Sequence, residues 1–115
     1  MKVVRRQRRR PPGISQERLD AMIEEATVDA YGEEEQAVGW LTMIQENLAV
    51  PFKTTVLGVE VTVGEIDLNE GDEIIAVCMR GRSRQSVPIL DLPLPKPPPA
   101  GAEWIAAYRW WRGGG

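Results

Sequence analysis

Pro51 divides the chain into two parts with different hydrophobic periods, so no single class of secondary structure accommodates both. Before it, Leu19, Met22, Ile23, Ala26 and Ala30 fall at i, i+3, i+4, i+7 and i+11, the stripe a helix turns towards a core. Gly32 interrupts that run, and Ala37, Leu41, Ile44 and Leu48 mark a second helical period. Proline lacks an N–H and clashes with the preceding turn, so Pro51 rules out continuation. Beyond it come β-branched runs broken by glycine. Phe52 to Leu57, Val59 to Ile66, Glu73 to Arg80 and Arg84 to Leu90 read as strands joined at Gly58, Asn69-Glu70-Gly71 and Gly81. The strict alternation of Val59-Glu60-Val61-Thr62-Val63 fits one buried and one wet face.

These periods predict an α+β fold: an N-terminal helical hairpin or bent helix over 15–49, packed on a small antiparallel SH3-like β-barrel. Ser15 is placed to cap the first helix, with Glu17 in its first turn where a carboxylate suits the helix dipole. Five prolines between Pro93 and Pro99 predict an extended strap. It leads to a short C-terminal aromatic helix or turn, Glu103 to Trp111, holding three of the four tryptophans. A length of 115 residues suits one domain with a modest core. The expected organisation is a disordered basic leader over 1–13, a single domain over 14–112 and a frayed tail over 113–115.

Charge is divided as unevenly as period. Lys2, Arg5, Arg6, Arg8, Arg9 and Arg10 give the first ten residues a charge of +6, while the remaining 105 carry −9. An acidic body attracts cations and repels nucleic acid; the basic arm does the reverse. Cys78 is the only cysteine, which excludes an intrachain disulfide, and its apolar run Ile74 to Met79 points to a buried structural thiol. No secretory core follows the basic start and no apolar run is long enough to span a bilayer. A soluble, cytoplasmic, monomeric protein with no membrane association is expected.

The chain has no histidine, which removes zinc sites and Ser/His/Asp or Cys/His catalysis, and catalysis is not expected. Oxygen ligands, by contrast, are abundant. Nine of the thirty residues from Glu17 to Glu46 are carboxylates, focused at Asp29, Glu33, Glu34 and Glu35. A donor set of oxygens alone suits a hard cation such as calcium, which takes six to eight oxygens in irregular geometry. A bend at Gly32 folds Asp29 towards Glu33 or Glu34 and makes these four the first-choice metal ligands. The competing reading is a solvated helix face whose glutamates serve only the macrodipole. Asp67, Glu70 and Asp72 form a second acidic patch, a candidate weak second site. It is no EF-hand, since the sixth and twelfth positions counted from Asp67 are Asp72 and Cys78.

The segment Val28-Asp29-Ala30-Tyr31-Gly32-Glu33-Glu34-Glu35-Gln36-Ala37-Val38-Gly39-Trp40, followed by Leu48-Ala49-Val50-Pro51-Phe52, resembles the signature of the small cyanobacterial-type calcium-binding protein family (CcbP-like). Gly64, Gly81-Arg82, Val87-Pro88 and Tyr108-Arg109-Trp110-Trp111 follow in the family's order. The resemblance implies helices packed on a small β-barrel, Ca2+ as the bound ion, and a role in buffering or sensing calcium in bacterial signalling. Leu41-Thr42-Met43 replaces the family's aromatic run, and the arginine-rich leader lies outside its pattern. The alternative class is a nucleic-acid-binding small barrel using residues 1–10 and the Arg80-Gly81-Arg82-Ser83-Arg84 turn, with Trp110 and Trp111 as stacking surfaces. A third reading offers the prolines of 93–99 to an aromatic groove on a partner.

Overall fold

The computed structural model describes residues 10–113. The expected basic leader lies outside them for positions 1–9, and the expected frayed tail for 114–115.

Helix α1 (Gln16–Thr27) begins at an extended Ser15, whose Oγ accepts the Arg18 N–H at 3.1 Å. This supplies one of the donors that a helix start leaves unpaired. Leu19, Met22 and Ala26 are buried along its inner stripe. The alternative of one bent helix resolves as a hairpin, because Asp29 takes φ +56° and residues 28–32 are non-helical before α2 (Glu33–Asn47). The two helices cross where Gly39 meets the Ala26 carbonyl, and a Cβ at Gly39 would overlap that oxygen. Glycine is required there by close approach of two backbones.

Four strands follow in an antiparallel meander: β1 (Phe52–Val56), β2 (Val59–Leu68), β3 (Ile74–Arg80) and β4 (Ser83–Pro88), in the order β1-β2-β3-β4. Leu57 and Gly58, with φ +50° and +77°, form the two-residue β1–β2 turn; positive φ at both positions matches the strands' right-handed twist. Among the described residues β1 and β4 carry no strand on their outer edges, so the sheet is not closed there. Val63 and Ile66 are both buried although an odd spacing puts strand residues on opposite faces. A bulge between Val63 and Glu65 resets the phase and returns Ile66 to the core side.

After a 3-10 turn at Ile89–Asp91 the prolines run as an irregular strap to α3 (Glu103–Trp111). Three hydrogen bonds fasten this return: Thr54 Oγ1 to the Pro93 carbonyl at 2.6 Å, Ala49 N–H to Ala100 at 2.8 Å, and Arg109 Nη2 to Leu90 at 2.8 Å. Gly101, at φ +88°, lets the strap pass the end of α2, since a Cβ there would overlap the Asn47 carbonyl. Helices and sheet enclose one core centred on Trp40, which is 0% exposed. Trp104, Tyr108 and Trp111 surround its ring at centroid distances of 6.3, 5.6 and 5.5 Å. A large aromatic buries 150–250 Å², so Trp40 contributes on the order of 4–6 kcal/mol, an upper bound. Its indole N–H has no hydrogen-bond acceptor among the described residues, which costs about 1–3 kcal/mol and leaves burial the larger effect.

No helix of the described residues is long and apolar enough to cross a membrane.

Candidate metal-binding cleft

The first turn of α2 is built to display carboxylates. Gly32 caps it without a side-chain hydrogen bond, and Glu33, Glu34 and Glu35 follow directly, all exposed. Glu35 reaches back past the N-cap to accept the Tyr31 N–H through Oε2 at 3.2 Å. That bond occupies part of one carboxylate and fixes the loop. Asp29, two residues earlier, holds a left-handed conformation that aspartate tolerates better than most side chains.

The second acidic patch is ordered by one side chain. Asn69 Oδ1 accepts the N–H groups of Gly71 and Glu73, both at 2.9 Å, while its Nδ2 donates to Glu73 Oε1 at 3.2 Å. Asp72, at φ +59°, is presented at the tip of this β2–β3 turn and is half-buried. Asp67 Oδ1 accepts the adjacent Leu68 N–H at 2.8 Å, and Asp67 and Glu70 are exposed.

A cleft of about 490 Å³ joins the two patches. Glu33, Gln36 and Ala37 form one wall, Gly71 and Asp72 the second, and Tyr108, Trp111 and Arg112 the third. Tyr108 and Trp111 stack at 6.3 Å and 24°, and both also pack against Trp40, so the cleft's aromatic wall is continuous with the core. Burial is the main cause of a raised Tyr108 pKa; Arg112 opposes the shift and Glu73 adds to it.

Of the predicted ligands, the structure brings Glu33 and Asp72 to this cleft; Asp29, Glu34, Glu35, Asp67 and Glu70 are not among its lining residues. No group of three or more carboxylates among the described residues is arranged to hold a metal ion. The donor chemistry nevertheless fits a hard cation: carboxylates of Glu33 and Asp72 and the amide oxygen of Gln36, with no imidazole or thiolate in the walls. In the sequence the two acidic patches stand as separate sites, and nothing there assigns Gln36, Tyr108, Trp111 or Arg112 to a metal site. One signal was present: Tyr108, Trp111 and Arg112 fall at i, i+3 and i+4, a single helix face. Among the described residues the arginines of the β3–β4 turn offer only Arg84 to Glu65 at 3.8 Å, an exposed pair of the kind that contributes little.

A family model described as calcium binding, the CcbP family, matches residues 20–112, all three walls of the cleft included. The chain belongs to this family. No curated protein matches it. The solved structure of Anabaena CcbP is similar, with 21% identity and a TM-score of 0.66, over 87% of this chain and 93% of that one. A second, a calcium-binding protein in its calcium-binding form, has 19% identity and a TM-score of 0.65, over 85% and 91%. At such identities the likeness establishes a shared CcbP fold.

Proposed function

We propose that this chain binds calcium through the carboxylates of the α1–α2 junction, Asp29, Glu33, Glu34 and Glu35, and acts as a buffer or sensor without catalysis. Asp72 contributes from the facing turn, with Asp67 and Glu70 as a weaker outer set. The observation that carries this is the calcium-binding family match, which spans the elements that line the cleft. Hard oxygen donors without nitrogen or sulfur suit calcium over zinc. Calcium is preferred over magnesium because the smaller ion demands octahedral geometry and dehydrates reluctantly. A lone buried Cys78 suits a reducing, cytoplasmic setting.

Isothermal titration of calcium into wild type, Asp29→Asn and Glu33→Gln tests the reading. Asparagine tolerates the left-handed conformation at position 29, so that variant removes charge with little backbone cost. Each is expected to weaken binding at least tenfold. Calcium at a hundredfold excess over Kd should add about 2.7 kcal/mol of stability, with a smaller effect from magnesium at equal concentration. Wild type giving no more heat than a generic acidic protein would refute the proposal.

A further inference from the structure

Arg112 is out of place in a cation site. It follows α3 directly, its backbone N–H closes the helix on the Tyr108 carbonyl, and its side chain lines the cleft with Glu33 and Asp72. The guanidinium carbon sits 5.9 Å from the Tyr108 ring centroid, a cation–π distance. Among the described residues the only ion pair within 4.0 Å joins Arg84 to Glu65, so Arg112 shares the cleft with two acids without closing on either. Its near neighbour Arg109 differs, being tied to the Leu90 carbonyl as a structural bond.

We propose that Arg112 is a tethered cation that competes with metal for the cleft and thereby sets its affinity. This rests on the calcium reading above. A guanidinium cannot be deprotonated at working pH and cannot ligate a metal, so its charge always opposes an arriving divalent ion. Before metal binds, it offsets the field of Glu33 and Asp72; when metal binds, the side chain swings outwards across the Tyr108 face. A unit charge and a divalent ion several ångströms apart in a water-exposed cleft repel enough to change affinity roughly three- to tenfold.

Calcium titrations of wild type, Arg112→Gln and Arg112→Lys, at low and high salt, test this. The glutamine variant should bind calcium about three- to tenfold more tightly at low salt, with the gain shrinking as salt screens the charge. The lysine variant should stay near wild type because charge, rather than shape, is the operative property. Tyr108 and Trp111 emission should change on calcium addition in wild type and less in the glutamine variant. Unchanged or weaker binding by Arg112→Gln, with its melting temperature intact, would overturn the inference while leaving the calcium reading standing. Absence of binding by wild type would overturn both.

Discussion

Replacing Gly39 with alanine should lower the stability of this protein even though it removes a glycine from the middle of a helix. Helix propensity alone favours alanine by roughly 0.8–1 kcal/mol. Packing opposes it. An added Cβ would overlap the Ala26 carbonyl oxygen, well inside the 3.0 Å that real Cβ contacts respect. Ala26 is 3% exposed, and the atom in question is backbone, so no rotamer change relieves the contact. Helix α1 must therefore move off α2, carrying Leu19 and Met22, both 0% exposed. Overpacking costs typically 1–3 kcal/mol, and a backbone clash belongs at or above the top of that range. The net loss is about 2 kcal/mol, a fall in melting temperature of roughly 8 °C for a domain of this size. Thermal unfolding followed by far-ultraviolet circular dichroism measures it directly. A melting temperature equal to or above wild type would mean that propensity prevails and that the helices do not meet at Gly39.

Two further outcomes follow from the same geometry. Asn69→Ala removes the acceptor of two backbone N–H groups at 2.9 Å; it should cost about 1 kcal/mol of stability and weaken calcium binding several-fold by loosening Asp72, with Asn69→Asp recovering only part of the stability, because it keeps the acceptor but sets a carboxylate where Nδ2 donates to Glu73. Tyr108 and Cys78 both have pKa values raised by burial from reference values of 10.0 and 9.0. In the window between the unfolded and folded values the native state keeps a proton that the unfolded chain has released, so stability is complete below that window and lost as pH rises through it. Melting temperatures should decline from about pH 9 upwards, less steeply in Tyr108→Phe; a variant that parallels wild type throughout would remove Tyr108 from the account.

The local features of the fold were legible in the sequence because their causes are local. Ser15 caps α1 through a contact three residues away, and the strands end at glycine or asparagine turns close to the expected positions. Gly32 announced a break, but the left-handed residue of the α1–α2 connection is Asp29, at φ +56°, a conformation that aspartate tolerates and that no local pattern marks. The expected strand Val59 to Ile66 runs through Gly64 without a bulge, since nothing local reveals that β2 must change phase to keep both Val63 and Ile66 inside. Close approach is equally silent in sequence: Gly39 lies within a helical period, and only the position of α1 makes it necessary.

The cleft was the least legible feature because its walls come from three elements separated by the whole length of the domain: the start of α2, the β2–β3 turn and the end of α3. Periodicity identifies a face, but it does not say which faces meet. What brings these walls together is the aromatic core. Trp40 contacts Tyr108 and Trp111 from below, and seven residues N-terminal to Trp40 the same helix presents Glu33 to the cleft. Residues that stabilise the domain thus also hold the acidic walls apart at cleft width. A small protein with one core has no separate scaffold on which to mount a site. Its binding groups must be placed by core packing, so if the cleft takes the cation as proposed, binding and global stability are linked through the same aromatic side chains.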